Sequence, residues 1–211
     1  MLAAFALWTA AVCSIDVQPI GPQSSSIGFA TINHAFHRLT GVQMSLYIIT
    51  DWLSIIPIAI AMGFALLGLI QWIKRRNLFK VDYDLLVLGG FYAAVASAFI
   101  FFELFIINFR PILIDSVLEA SYPSSTTILV LCVMPTTIMQ LRARIKCTPI
   151  REILSLIVFV FTGFMLIGRL FSGVHWLSDI IGGALLSTGL VMMYNFVSHI
   201  KPPSQQDTPL L

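Results

Sequence analysis

Charge is scarce in this sequence. Of 211 residues, 12 are Lys or Arg and 10 are Asp or Glu, which makes 10% charged, against the roughly 25% of a soluble globular domain. With 58% hydrophobic residues and a mean hydropathy of +0.92, there are too few polar side chains to cover a water-soluble core. The net charge of +2 is too small to draw a nucleic acid, so no such partner is expected. Cysteine is equally sparse. Cys13, Cys132 and Cys147 are odd in number, share no metal-ligand spacing and lie in or beside apolar segments, so they read as small hydrophobes. The amino-terminal apolar stretch lacks the Lys or Arg that opens a secretory signal peptide, although T-A-A-V-C-S holds small residues of the kind found at cleavage sites.

What the sequence has in abundance is apolar runs near the length of a bilayer. The expected fold is all-α: an integral membrane six-helix bundle, one domain over 1–211, with spans at about 1–15, 46–73, 85–108, 124–141, 153–170 and 178–197. Pro19, Gly21, Pro22 and Ser24 to Ser26 mark a loop after the first span. Over about 27–39, apolar residues return at helical spacing beside Asn33, His34, His37 and Arg38, the pattern of an amphipathic helix lying in the interface. The second span is broken by Asp51 and Pro57. The tail, 201–211, is polar and contains Pro, and disorder is expected there. With both termini inside, nine of the twelve basic residues fall on the cytoplasmic side, and only Arg38, Arg110 and Arg169 remain outside. Nothing in the sequence fixes an oligomeric state.

The polar residues that stay at membrane depth collect near one face. From Gly168 to Asp179 the chain reads G-R-L-F-S-G-V-H-W-L-S-D. If a helix begins near His175, the i, i+4 spacing puts Asp179 on the same face, where its carboxylate would hold the imidazole in one tautomer and make it a base or nucleophile. The alternative is that Arg169 ends one helix, Asp179 opens the next and His175 lies in a wet loop. Arg110, at the end of the third span, and Ser124, at the start of the fourth, open on the same face. Two guanidiniums and a hydroxyl beside a paired histidine make a phosphate-sized anion site; the alternative is that the arginines snorkel to lipid headgroups. His34 and His37 have no further ligand spaced to complete a metal site and read as headgroup contacts. Gly182, Gly183, Ala184 and Ser187 read as a close helix-packing face.

These residues resemble the type 2 phosphatidic acid phosphatases, also called lipid phosphate phosphatases, whose motifs are K-x6-R-P, P-S-G-H and S-R-x5-H-x3-D. Here they stand as Glu103-x6-Arg110-Pro111, Pro123-Ser124-Ser125-Thr126 and Gly168-Arg169-x5-His175-x3-Asp179. The resemblance implies that His175 attacks phosphorus and carries a phosphohistidine, with Asp179 bonded to its other ring nitrogen. Arg110, Arg169, Ser124 and the backbone N–H near Ser125 would bind the equatorial oxygens. No metal and no cofactor are expected. Three positions depart: Glu103 replaces a phosphate-binding Lys, Gly168 replaces a Ser, and Thr126 replaces the general-acid His.

The function so implied is removal of phosphate from a lipid phosphate or diphosphate, polyprenyl diphosphate among them, by a multi-pass plasma-membrane protein whose site faces the non-cytoplasmic side. Its partners would be that lipid and the surrounding membrane lipids. The alternative is a catalytically weak or silent relative that binds lipid phosphates or a membrane partner. A small transporter fits less well, because the ionisable residues gather at one face instead of the midplane and no inverted repeat is visible.

Overall fold

The structure, a computed structural model, describes residues 1–200, so the disorder expected of 201–211 lies outside the described residues. The described residues form eight α-helices: α1 Leu2–Ser14, α2 Ala30–Thr40, α3 Met44–Leu53, α4 Ile55–Arg75, α5 Tyr83–Leu104, α6 Ser125–Arg144, α7 Thr148–Phe171 and α8 Leu177–His199. No β-strand occurs among them, only isolated bridges in loops. Five stretches are long and apolar enough to cross a membrane: Met44–Arg75, which joins α3 and α4, and then α5, α6, α7 and α8. The chain is thus an all-α, multi-pass integral membrane protein. In place of the first expected span stands α1, whose 13 residues reach only about 20 Å at 1.5 Å per residue, short of the ~30 Å hydrocarbon core. It packs along α8.

Local chemistry explains where the expected boundaries shift. The second span breaks at Ser54, three positions before Pro57. Pro57 has no N–H for the Leu53 carbonyl and its ring crowds that carbonyl, so the hydrogen-bond ladder is interrupted one turn upstream. Helix α5 stops at Leu104 instead of continuing to Asn108. Residues 105–124 form a loop closed by Arg110 N–H to Glu119 C=O (3.0 Å) and Ser121 N–H to Asn108 C=O (2.9 Å). Glu103 and Arg110 therefore do not share a helical face, contrary to the expectation of one continuous span. Nor does a helix begin at His175, since α8 starts at Leu177.

Helix α6 is the pole of the bundle. It is the least apolar of the spans and the most buried, whereas Met44–Arg75 is almost wholly unburied and faces lipid. The polar residues of α6 turn inward for want of water outside: Thr136 Oγ1 meets Tyr92 Oη at 3.1 Å, and Gln140 Nε2 donates to Tyr194 Oη at 2.9 Å. Gly183 of α8 lets α6 close in, for a Cβ there would lie 3.1 Å from Thr127 and 3.2 Å from the Ser124 carbonyl. The glycine face of α8 packs helices, as its composition implies.

The two ends of the bundle differ in chemistry. At one end Asp82 bridges Arg75 (3.0 Å) and Arg144 (3.2 Å), so the basic clusters that follow α4 and α6 share that end. At the other end lie α2 and the loops 105–124 and 172–176. Helix α2 is amphipathic as expected, with Ile32 and Leu39 exposed (58% and 83%). It is fastened by Asn33, which is buried. Asn33 Nδ2 donates to the Gly28 carbonyl (2.8 Å) and Ser178 Oγ (2.9 Å), and its Oδ1 accepts the Ser178 N–H (3.0 Å) in the first turn of α8.

Removing that amide leaves the Ser178 N–H buried without a partner. Asn33→Ala should lower unfolding stability in detergent by about 1–3 kcal/mol; a melting profile identical to wild type would show that α2 is held by its apolar face alone.

Candidate functional site

The site is built on a buried carboxylate. Asp179, in the first turn of α8, is fully buried and accepts four hydrogen bonds: Ser121 Oγ (2.5 Å) and the Trp176 N–H (3.0 Å) on Oδ2, and Asn108 Nδ2 (3.0 Å) and Ser178 Oγ (3.3 Å) on Oδ1. Asn108 also accepts the Gly28 N–H at 3.4 Å. The loop 105–124, the start of α8 and the segment before α2 are thereby tied to one group. The expected direct bond from Asp179 to His175 is not made. Ser121 lies between them: its hydroxyl donates to Asp179 and its oxygen stands 3.0 Å from His175 Nδ1. A hydroxyl that gives its proton to the carboxylate must accept from the ring, so Nδ1 carries the hydrogen and Nε2 keeps a lone pair. The link between ring and carboxylate thus runs through Ser121, a serine the sequence reading missed, and not through a direct bond.

Around this ring stand the two arginines. Arg169, 2% exposed, donates from Nη2 to Asp51 Oδ1 (3.1 Å) and to Thr126 Oγ1 (2.5 Å). Arg110 Nε lies 3.1 Å from Glu119 Oε2, an ion pair by distance whose angle does not satisfy the N–H. Both guanidiniums lie over the Tyr47 ring, at 5.8 Å for Arg110 and 5.0 Å for Arg169. Among the described residues, Nε and Nη1 of each arginine and Nε2 of His175 are buried without a hydrogen-bond partner. Helix α6 begins here with no side-chain cap, so its first N–H groups and the positive end of its dipole add to the same field.

Two cavities meet at this point. One, of about 490 Å³, has Asp51, Ser54, Arg110, Ser125, Thr126 and Arg169 at its polar end, and below them apolar side chains of α4, α5 and α6. The other is a narrow cleft between α5, the loop and α6 that holds Glu103, Ser121, Ser125 and His175. Phe99, Ser125 and Ile128 line both.

Of the residues expected from the sequence, His175, Arg110, Arg169 and Ser125 are brought together. Ser124 turns away: its Oγ accepts from Thr127 (3.0 Å) and its N–H binds the Asp179 carbonyl (3.1 Å). Thr126 holds Arg169, and Glu103 enters the His175 cleft. His37 binds the Gly173 carbonyl (3.1 Å) and packs on Trp176 (5.5 Å), bracing the histidine loop instead of meeting headgroups. Asp51, Tyr47, Asn108 and Ser121 were missed as site residues. Ser121, two positions before the second motif, and Asp51, a carboxylate inside an apolar span, carried positional signals; Tyr47 and Asn108 carried none.

Fold and site together define a polytopic membrane protein in which two buried arginines and a histidine stand above a cavity lined by apolar side chains. The PAP2 superfamily matches residues 58–201, well over half of the chain, and the protein belongs to that superfamily. Its structure resembles the crystal structure of the first transmembrane PAP2 type phosphatidylglycerolphosphate phosphatase from Bacillus subtilis, with a TM-score of 0.61, 96% of each chain covered and 17% identity, a likeness of fold. No curated protein matches.

Burial, reinforced by the charges of Arg110 and Arg169, holds the His175 imidazole well below its ordinary value of 6.5. A folded state that refuses a proton the unfolded chain accepts is fully stable above that value and loses stability as pH falls through it. His175→Gln should therefore flatten the loss of stability between about pH 6.5 and pH 5. An unchanged slope would mean that other groups govern acid unfolding.

Proposed function

We propose that the protein is a membrane lipid phosphatase, taking phosphate from a lipid phosphate or diphosphate through a phosphohistidine at His175. The observation that carries this reading is the set of five unpartnered buried nitrogens, one an imidazole lone pair and four guanidinium N–H groups. The guanidiniums stand at the polar end of the apolar cavity and His175 in the adjoining cleft, and Ser125, at the uncapped start of α6, lines both. A phosphoryl group attached to a lipid satisfies all of them at once. Membership of the PAP2 superfamily supports hydrolysis of a phosphoester.

In the proposed cycle, the Nε2 lone pair forms the N–P bond as the bond to the leaving oxygen breaks, and water then cleaves the N–P bond and restores the neutral ring. The positive charge that grows on the ring is met by the Ser121–Asp179 pair. Arg110, Arg169 and the Ser125 N–H hold the equatorial oxygens. Thr126 is too weak an acid to protonate a leaving oxygen and is committed to Arg169. Glu103, which shares the cleft with His175, is the carboxyl proposed to supply that proton. A diphosphate, whose leaving group needs protonation less, should be the better substrate than a monoester. A second reading, a relative that binds lipid phosphates with little turnover, draws on the ion pairs that already engage both arginines.

Phosphate release from a panel of lipid phosphates and diphosphates tests the reading. His175→Ala should abolish release and Ser121→Ala should lower it by about two orders of magnitude or more, whereas Ser124→Ala should have the smaller effect because its hydroxyl faces Thr127. Lipid binding without release in the wild type favours the second reading. Full activity in His175→Ala refutes the nucleophile.

The proposed location is the plasma membrane, with the site on its non-cytoplasmic side, because the basic end formed around Asp82 lies opposite the site. In a background without Cys13 and Cys147, an impermeant thiol reagent applied outside cells should label a cysteine at Val117 and miss one at Asn77. The reverse pattern would invert the topology.

A further inference from the structure

A second cavity, of about 420 Å³, lies along the same α4–α5 seam toward the basic end. Phe64, Gly68, Leu69, Trp72, Leu85 and Gly89 are among its lining residues. Tyr92 lines both this cavity and the one under the arginines, so the two are successive chambers of one seam. From Phe99 in the upper chamber to Leu85 in the lower, α5 advances about 21 Å at 1.5 Å per residue. One leaflet of a ~30 Å hydrocarbon core is only about 15 Å deep, so the seam continues past the midplane. The lower chamber is a groove open along one side, with Gly89 and Gly90 exposed, and a Cβ at Gly68, Gly89 or Gly90 would meet nothing within 4 Å. Tyr92 stands where the chambers join, its hydroxyl fixed on Thr136.

Resting on the phosphatase reading, we infer that the lower chamber receives the far end of the substrate's own hydrocarbon tail, and that Gly68, Gly89 and Gly90, with Tyr92 at the junction, set the tail length the enzyme accepts. The occupant follows from continuity. A phosphate held by Arg110 and Arg169 places the first carbons of its tail in the upper chamber, whose apolar walls lead past Tyr92 into the lower one. A tail longer than one leaflet is the one that reaches it. The contact is one of shape and packing, since lipid outside the seam is as apolar as the seam itself. It therefore selects by fit, and a side chain placed in the chamber excludes length instead of weakening all substrates alike.

The test compares lipid phosphates that differ only in tail length, one shorter and one longer than a leaflet, in wild type, Gly89→Leu and Gly163→Leu. Gly163, on α7, also has open space around it and lies outside the seam. Gly89→Leu should lower kcat/KM for the long tail relative to the short one on the order of tenfold, because a tail halted early drags its phosphate out of register; Gly163→Leu should leave that ratio alone. An unchanged ratio in Gly89→Leu, with both substrates turned over, overturns the tail assignment and leaves the phosphatase reading intact. Occupancy is read separately, without turnover, from a long-tailed lipid phosphate bearing a photoreactive diazirine at its far end. Cross-links to 64–72 and 85–92 that vanish in Gly89→Leu support the inference even if no phosphate is released. Cross-links spread over the lipid-facing helices, equal labelling by a phosphatidylcholine probe, or a cross-link between two copies of the chain at this seam would each overturn it.

Discussion

A carboxylate that carries charge away from water must be surrounded by donors, or folding would leave it too costly to bury. Asp179 meets that demand with four, and the four come from different places: a backbone N–H and a hydroxyl in the turn that opens α8, a hydroxyl just before α6, and an amide just after α5. Satisfying one group thus fixes the path of the long loop 105–124 against the histidine loop. The same demand orders the proton on His175, since the hydroxyl that serves Asp179 has only its oxygen left for Nδ1. Removal of any donor loosens a connection between segments as well as a hydrogen bond.

The arginines are arranged on a different principle. Each has one carboxylate near it, Glu119 for Arg110 and Asp51 for Arg169, and they share the face of Tyr47. Two neighbouring guanidiniums would repel each other without such company; with it, they stay in place and still leave donors open. The carboxylates sit on the exposed side, Asp51 at 55% and Glu119 at 39%, where solvent weakens their hold. An incoming phosphate, drier and bidentate, competes well for the same guanidiniums. On the proposed reading, the neutral imidazole is the complement of this field. Among cations it remains unprotonated, and so it remains a nucleophile.

Much of this was legible in the chain. Hydropathy gave the spans to within a few residues, and the Arg169, His175, Asp179 spacing marked the end of the bundle where the buried polar side chains gather. What was not legible depends on contacts between distant positions. Ser121 reaches a residue 58 positions away and Asn33 one 145 positions away, and no local pattern announces either. The surroundings of Ser124, expected among the phosphate ligands, are set by a distant contact as well. A serine before a helix normally caps it with its side chain, but here the backbone N–H of Ser124 is drawn to the Asp179 carbonyl and its hydroxyl is taken by Thr127. The i, i+4 argument for His175 and Asp179 assumed a helix that is not there, because α8 starts after the histidine and a serine stands between ring and carboxylate. The short α1 is as apolar as a span and leaves most of its surface exposed, with Leu7 at 72% and only Val12 buried, so what sets it apart from the other five is its length.

Pro57 connects the head of the site to its membrane half. The break it forces at Ser54 divides the 32-residue stretch Met44–Arg75 into two helices with different neighbours. Above it, α3 packs against α7, bringing Asp51 to Arg169 and Tyr47 beneath both guanidiniums. Below it, α4 packs against α5 and α6, where Ile58, Ala61 and Met62 form one wall of the upper cavity. Ser54 itself lines that cavity, at the level where polar lining gives way to apolar. An amphiphile has the same boundary in its own structure, between phosphate and hydrocarbon. The backbone break therefore falls where the chemistry of such a ligand changes, so that one residue incapable of donating a hydrogen bond sets the depth at which charge is held in the membrane.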